Sequence, residues 1–594
     1  MPNYKSMKVV NWQSVFITIC TLVLGSSLAF AGPQKLSKDL EGKDPGDQTQ
    51  VNVIVQFNRT PTRHHHRIVF NRGGVQTRDL GQFKGGAYSV PASALADLAT
   101  DPEVVYVSPD RPLRHSGSST ITLDYHTDTV NAPAAWALGL DGSGIGVAVI
   151  DSGIVDLADL HGVKRWGASN VVYSQDFTGS GTTTDQYGHG THVAGIISGT
   201  GTKSKANSLY TFRGVADNAN IINLKVLDKN GAGTDSEVIA AIQTAIQLKN
   251  NLNIRVINLS LGRPVYESYT LDPLCQAVEQ AWMSGIVVVA AAGNYGRGTT
   301  ASPSGYGTIT SPGNDPYVIT VGAMNTMSTA TPTDDVIASY SSKGPTYIDQ
   351  VVKPDLVAPG NMVISLYSPR ETLLQIDSAN VVPNSLYLIG ANNSPSTTYL
   401  ALSGTSMATP VVSGAAALVL QQNPFLTPDQ VKAALMVTTF KNLVQASTVT
   451  DPTTSQTFSE QADVFTVGAG LLDIQAALNN TNLAPYTVGS ALSPIAQQAA
   501  NGSILLVANG SSVLAGNSIL WGNSILWGNS ILWGNSSVAG SSILWGNSSS
   551  LQSSSILWGN TSLSGSDVMN GESILWGNVS QVIDASSVLW GNRK

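Results

Sequence analysis

The sequence predicts an α/β protein: a parallel sheet with helices on both faces, preceded by a small α+β unit and followed by a β-rich repeat tail. Three observations carry this. From about residue 116 to 480, strand-like and helix-like patterns alternate, the signature of a parallel sheet covered by helices. Ahead of that, strand, strand, helix and strand follow one another within a short stretch beginning at Val51. At the far end a hexamer recurs, and tandem copies of one short strand-and-turn unit favour stacking. The chain therefore divides into residues 1–31, 32–115, 116–480, 481–511 (a linker) and 512–594 (the tail).

The first segment reads as a secretory signal. Lys5 and Lys8 supply positive charge, residues 15–24 are apolar, and Ala29-Phe30-Ala31 gives a small-x-small cleavage pattern. That apolar run is far short of the ~20 residues needed to span a bilayer, and no other stretch is long and apolar enough. The expected location is therefore secreted or cell-surface, with no transmembrane segment after signal removal. Cys20 would leave with the signal, and Cys275 would then stand alone. In an exported chain that leaves stability to the core, not to disulfides.

In the second segment, Val51-Asn52-Val53-Ile54-Val55-Gln56-Phe57 alternates like a half-buried strand, and residues 86–90 make a second. Residues 91–100 have helical spacing, and residues 104–107 form a third strand ended by Ser108-Pro109-Asp110. His64-His65-His66 falls between strand candidates and reads as a solvated loop; the alternative is a pH sensor charging near pH 6.

In the third segment the strands are expected at 146–150, 221–227, 256–261 and 286–292. Helices are expected at 189–198, 235–248, 272–284 and 406–421, the last so apolar that it should be central. Ligand sites of open α/β sheets lie beyond the carboxyl ends of strands, where Asp151 and Asn294 fall.

The tail holds Ser-Ile-Leu-Trp-Gly-Asn at Ser518, Ser524, Ser530, Ser542, Ser555 and Ser573, with a valine-containing copy at Ser587. Ser-Ile-Leu-Trp suits a strand and Gly-Asn a tight turn, so the copies should stack as a meander or a solenoid. The later spacings of 12, 13, 18 and 14 residues break a strict period and argue against a perfect solenoid. Between residues 500 and 592 only Asp567, Glu572 and Asp584 are charged, a composition that favours surface attachment or self-association. The tail's ligand is not readable. Overall, charged residues are 12% of the chain and the net charge is −8, which gives a nucleic-acid partner no electrostatic support.

Three segments carry chemistry. Val149-Ile150-Asp151-Ser152-Gly153, Gly188-His189-Gly190-Thr191-His192-Val193-Ala194-Gly195 and Ser403-Gly404-Thr405-Ser406-Met407-Ala408-Thr409-Pro410 each supply one member of an Asp, His and Ser set. A serine hydroxyl needs a base to attack a peptide carbonyl at neutral pH, and a carboxylate can hold that base in the right tautomer. At the first turn of a helix, Ser406 also places backbone N–H groups near a developing oxyanion. Spacing alone does not choose between His189 and His192, which would share a helical face. A His-x-x-His pair could suggest a metal, but no glutamate follows at zincin spacing and no third ligand is evident, so no metal site is expected.

Taken with their flanks and order, these segments identify the chain as resembling the subtilisin-like serine proteases, over roughly residues 50–480. The resemblance implies a subtilisin-like fold and a secreted serine endopeptidase made as a self-processing zymogen. It implies that residues 32–115 are an inhibitory propeptide, released by cleavage near residues 114–120. It assigns the catalytic roles to Asp151, His189 and Ser406, leaves His192 structural, and matches Asn294 in Ala291-Ala292-Gly293-Asn294 to the family's oxyanion donor. Ser260-Leu261-Gly262 resembles the segment that pairs with the substrate backbone, an arrangement that suits protein or peptide substrates. The side-chain pocket should lie near residues 293–307, which match poorly, and Met407 beside the nucleophile should be sensitive to oxidation. No cofactor is required. Structural Ca²⁺ is common in the family, but no ligand set is assignable; Asp159 is offset from the family spacing and reads as a plain surface residue. Residues 361–402 exceed the family's usual length and read as an inserted hairpin or loop, a rim to the cleft or a solvated excursion. A protease narrowed by that insert, and a binding protein whose tail carries the main role, are the competing readings.

Overall fold

The computed structural model describes residues 35–37, 40, 47–110, 112–113, 123–162, 167–205, 208–298, 304–376, 378–450, 456–498 and 504–507, and the strands of the tail. The expected signal segment and the cleavage region at 114–120 lie outside the described residues.

The N-terminal unit is a four-stranded antiparallel sheet in the order Val75–Leu80, Gly85–Pro91, Gln50–Phe57, Val104–Pro109. Val53, Val55, Tyr88, Leu95, Leu98 and Val107 are its core, each with almost no exposed surface. Two of its elements differ from the expectation. Val75–Leu80 is an exposed strand whose first residue is 63% exposed, so its sequence carries little apolar signal. The His64-His65-His66 run is no loop: it opens a helix, Arg63–Phe70. There His65 is fully buried, and its Nδ1 accepts the Thr62 backbone N–H at 3.0 Å, doing the work that Glu or Gln does in the usual capping box. Burial holds the His65 pKa below its ordinary value despite Glu103, whose Oε2 lies 3.0 Å from Nε2.

That burial has a pH consequence. The unfolded chain binds a proton at His65 below about pH 6.5, whereas the folded one resists it, because a protonated Nδ1 cannot accept from Thr62. The stabilisation is present above that pH and is lost as acid titrates the folded state. Hydrogen exchange of residues 50–109 in the full chain should therefore accelerate below about pH 6.5, and H65Q should flatten that dependence. Identical profiles would remove His65 from the account.

The body is built on an eight-stranded sheet. Its order is Val336–Ile337, Ile319–Asn325, Val287–Ala291, Ile254–Leu259, Gly146–Asp151, Asn220–Lys225, Val171–Asp176, with Leu356–Pro359 also paired to Ile319–Asn325. Every pairing is parallel except that of the two-residue Val336–Ile337 strand. Gly146–Asp151 and Val287–Ala291 are almost continuous apolar runs, as strands covered by helices on both faces require, whereas the edge strand Val171–Asp176 is half exposed. The His189–Ser198 helix packs on the Thr405–Gln422 helix, and Asp235–Leu252 on Pro273–Met283. The chain leaves Gly146–Asp151 for the far edge, returns through Asn220–Lys225, then crosses to Ile254–Leu259 on the other side. That reversal opens a crevice at the carboxyl ends of the two central strands, where Asp151 and Ser260 lie.

Three regions depart from the sequence reading. Residues 361–402 are not a solvated excursion: Val363–Leu366, Pro395–Leu402 and Val381–Pro383 form an antiparallel sheet, and Val363–Leu366 packs on the His189 helix. Residues 481–498 are docked on the body, and Ile504–Val507 pairs antiparallel with Ile495–Gln498. Ala491 N–H donates to Asp429 at 2.9 Å, and Ser493 Oγ to Asp355, itself paired with the buried Lys353 and Lys432. Asp159 is no surface residue. It is fully buried, with Lys203 N–H 2.7 Å from Oδ1 and the Tyr399 hydroxyl bonded to Oδ2. Its pKa is raised by burial, against those two bonds.

In the tail, Ser518–Trp521 pairs in parallel, residue on residue, with Ser530–Trp533, and the ladder continues through Ser542–Trp545, Ser555–Trp558, Ser573–Trp576 and Ser587–Trp590. A second parallel sheet takes Ser524–Trp527, Ser536–Ala539, Ser548–Gln552 and Met569–Asn570. The spacings that break the period of six therefore do not break the first sheet. The additional residues fall between its strands.

Candidate active site

Asp151 ends its strand with 1% of its surface exposed. Its backbone carbonyl accepts from Val226 and Leu227 N–H, and its Oδ1 accepts Ser152 N–H at 2.8 Å. His189, the first residue of its helix and equally buried, places Nδ1 2.8 Å from Oδ1 and 3.0 Å from Oδ2. A carboxylate only accepts, so Nδ1 carries the proton and Nε2 offers its lone pair. Burial pulls the His189 pKa down, but the charge and hydrogen bond of Asp151, with Asp185 behind, outweigh it and raise it above the ordinary value.

Ser406 is the second residue of the Thr405–Gln422 helix. Its Oγ donates to Ser260 O at 3.1 Å, and Ser260 Oγ donates to Ser406 O at 2.8 Å, so this turn is tied to the end of the central strand. Asn294 is tied to the same turn. Its Oδ1 accepts from Thr405 N at 3.0 Å and Thr405 Oγ1 at 3.1 Å, while Gly293 N donates to Thr405 Oγ1 at 3.1 Å. The Thr405 backbone N–H can only donate, which settles that oxygen faces it and leaves both amide hydrogens of Asn294 available. Leu261 and Gly262, just past the end of the Ile254–Leu259 strand, make no backbone hydrogen bond among the described residues.

His192 stands apart. It is fully buried, with Nε2 donating to Leu400 O at 3.0 Å, and burial drives its pKa down to about 3. Met407 has no exposed surface. Two residues that sequence reasoning missed shape the site. Asp185 accepts Gly188 N–H at 2.7 Å and Thr191 N–H at 2.8 Å, capping the His189 helix; an aspartate just ahead of a helix start is the signal that could have found it. Thr310 lies between two glycines: its Oγ1 is 2.5 Å from where a Cβ on Gly262 would stand, and its Cγ2 is 2.6 Å from that position on Gly293. Part of the expected pocket, residues 299–303, lies outside the described residues. Among the described residues no group of three or more His, Cys, Asp or Glu side chains could hold a metal ion.

The model of the subtilase family matches residues 142–470, the whole of this crevice and its sheet. This chain belongs to the subtilase family. It is thereby a serine endopeptidase. It is similar to the serine protease AprX of Bacillus subtilis, at 40% identity over half of this chain and 61% of that protein, so that alignment leaves more than a third of the relative unmatched. It is also similar to subtilisin E of Bacillus subtilis, at 32% identity over 78% of this chain and 98% of that one. The alkaline protease of Alkalihalobacillus alcalophilus is 35% identical over 56% of this chain and 68% of its own length. The AprX and alkaline protease alignments each cover too little of this subtilase to include both its N-terminal unit and its tail.

Proposed function

We propose that this subtilase is an exported, self-processing zymogen that hydrolyses peptide bonds through an acyl-enzyme on Ser406. Ser406 Oγ attacks the carbonyl carbon while His189 Nε2 takes its proton, and Asp151 stabilises the imidazolium. The oxyanion is held by the Asn294 amide and the N–H groups of the first helical turn. Collapse returns the proton to the leaving amine, and a water then cleaves the ester by the same route. This chemistry calls for no metal or cofactor. The observation that carries the reading is the buried His189–Asp151 pair at the carboxyl end of a central strand, beside a helix whose first turn is braced by Asn294 and Ser260. The test is mass spectrometry after a sulfonyl fluoride. One adduct per chain, on Ser406, is expected; an unlabelled chain would favour a binding role for a vestigial protease body.

Asn294→Ala is expected to lower kcat by roughly 10²–10³-fold with little change in KM, the size found for the same donor in subtilisin, a relative. Thr310 fills the space between two glycines beside the nucleophile, which favours small side chains at the residue before the cleaved bond. Thr310→Gly should shift a peptide-library profile toward large residues by roughly 10–200-fold in kcat/KM ratio. An unshifted profile would move the selective pocket elsewhere.

The N-terminal unit is the inhibitory propeptide of this proposal. It is supported by the contacts it makes with the body: Gln56 Nε2 to Leu271 O at 2.8 Å, Arg78 Nη2 to Phe177 O at 2.9 Å, and Asp110, which accepts Ser236 N–H at 2.7 Å at the start of the Asp235–Leu252 helix. Its exit segment Pro112–Leu113 pairs antiparallel with Gly233–Thr234. The tail, in this reading, attaches the secreted enzyme to a surface or to its own kind. Since residues 481–498 are docked on the body and Ile504–Val507 pairs with Ile495–Gln498, a chain ending after Val507 is the fair test, and it should keep its activity and lose cell or matrix association.

A further inference from the structure

The segment 361–402 does more than border the site. Its turn reaches the residues that lead into the His189 helix: Thr372 N–H donates to Gln186 O at 3.1 Å and Leu373 N–H to Tyr187 O at 2.9 Å. Between those strands of contact sits Glu371, 2% exposed. Gly188, the residue before His189, has φ +112, and the space its missing side chain leaves is taken by Glu371. A Cβ on Gly188 would stand 2.8 Å from Glu371 Oε2 and 3.1 Å from Glu371 Cβ.

We propose that Glu371 is a positioning residue for His189, acting by locking the first turn of the histidine helix against the segment 361–402. The proposal rests on the reading of His189 as the catalytic base. The chemistry of the lock follows from its neighbours. Asp185, on the other side of Gly188, takes five donors: Ser152 Oγ, Tyr187 N and Gly188 N on Oδ1, Thr191 N and Thr191 Oγ1 on Oδ2. Those bonds suit an anion. Glu371 is less well served. Ser368 N–H donates to Oε2 at 2.9 Å, while the nearby Thr191 hydroxyl gives its one hydrogen to Asp185 and leaves the buried Oε1 without a donor. Two carboxyl groups flanking one glycine, one rich in donors and one poor, divide the roles: Asp185 holds the charge and Glu371 the proton. The other titratable group set against it is Tyr367 on its own segment, while Lys225, which faces Asp185, is engaged with Thr184 O and Gln186 Oε1. Burial, then the charge of Asp185, push the Glu371 pKa up to about 9.

Ionising Glu371 would set a second negative charge against Asp185 and prise the turn away from the segment. The folded state keeps a proton that the unfolded chain releases above about pH 4.5, so stability falls as pH rises from there to the folded pKa. E371Q keeps the shape and the neutral form; E371A removes the wedge. The test measures kcat and KM of the full chain from pH 6 to 11 on a chromogenic peptide, with Ser406 labelling by a sulfonyl fluoride run in parallel. Wild type should lose kcat through an apparent pKa near 9. E371Q should lack that limb while retaining kcat within about threefold at pH 7, and E371A should lose about 10–10²-fold in kcat with KM changed less than twofold. A wild-type kcat in E371A, or an unaltered alkaline limb in E371Q, overturns the proposal. If E371A does not fold, the E371Q profile decides alone. Wild-type protein that takes no label sinks the catalytic reading and the lock together; normal labelling with unmoved profiles sinks the lock only.

Discussion

Ser406→Ala is expected to lower kcat/KM by at least about 10⁴-fold and to abolish labelling by a sulfonyl fluoride. Subtilisin, a relative, loses about 2 × 10⁶ in kcat when its serine is removed, a figure that belongs to that enzyme and sets the scale. The loss is large because in the proposed route Ser406 Oγ forms the acyl bond. The residual rate should come from the Asn294 amide and substrate binding, which the substitution leaves in place. The structural cost is small: the variant forfeits one hydrogen bond, Oγ to Ser260 O, worth about 1 kcal/mol. Unfolding midpoints within a few degrees of wild type, alongside an activity loss below about 10²-fold, would show that another group is the nucleophile. The same variant also reports on maturation. A chain that cuts itself should accumulate with residues 32–115 still attached once Ser406 is gone.

Asp151→Asn should cost about 10⁴-fold in kcat near neutral pH, although it changes one atom. Ser152 N–H, 2.8 Å from Oδ1, can only donate, so it will hold the oxygen of the new amide. The NH₂ group is then left at the Oδ2 position, 3.0 Å from His189 Nδ1. An NH₂ hydrogen then competes for Nδ1 with the oxygen 2.8 Å away, and the tautomer that carries its proton on Nε2, the nitrogen that has to receive the serine proton, gains population. The His189 pKa, held above its ordinary value by Asp151, should fall as well. Nitrogen chemical shifts of the imidazole distinguish the two tautomers. A variant with wild-type kcat, or one inactive with the original tautomer, would refute this route to the loss.

Four of the eight strands were legible in the sequence, because Gly146–Asp151, Asn220–Lys225, Ile254–Leu259 and Val287–Ala291 are almost wholly buried and mostly apolar; Val171–Asp176, Ile319–Asn325, Val336–Ile337 and Leu356–Pro359 were not read. The expected helix at 189–198 coincides with the observed one, and the helix at Ser406 is out by one residue at each end. What escaped lies where the pattern is carried by long-range contacts. Val75–Leu80 alternates with mostly polar residues, and Arg63–Phe70 begins with a histidine in a capping role usually filled by Glu. Tyr399, Leu400, Ala401 and Leu402 are a buried strand inside a segment that reads as an excursion, because their partner is Val363–Leu366 more than thirty residues back. The site divides in the same way. Asp151, His189, Asn294 and Ser406 sit in distinctive local contexts. Asp159 looked like surface because its partner hydroxyl, on Tyr399, is distant in the chain. Glu371 and Thr310 have no local context at all; each matters through a glycine far away in sequence, Gly188 for one, Gly262 and Gly293 for the other.

The tail's twelve-residue step between Ser518 and Ser530 makes its growth a question of parity. Duplicating one hexamer in the abutting copies would exchange every downstream strand between the two sheets. Duplicating two would add one full turn and leave each strand where it was. Lengthening by even numbers of units is thus tolerated by the geometry, and odd changes must be absorbed elsewhere by extra residues between strands.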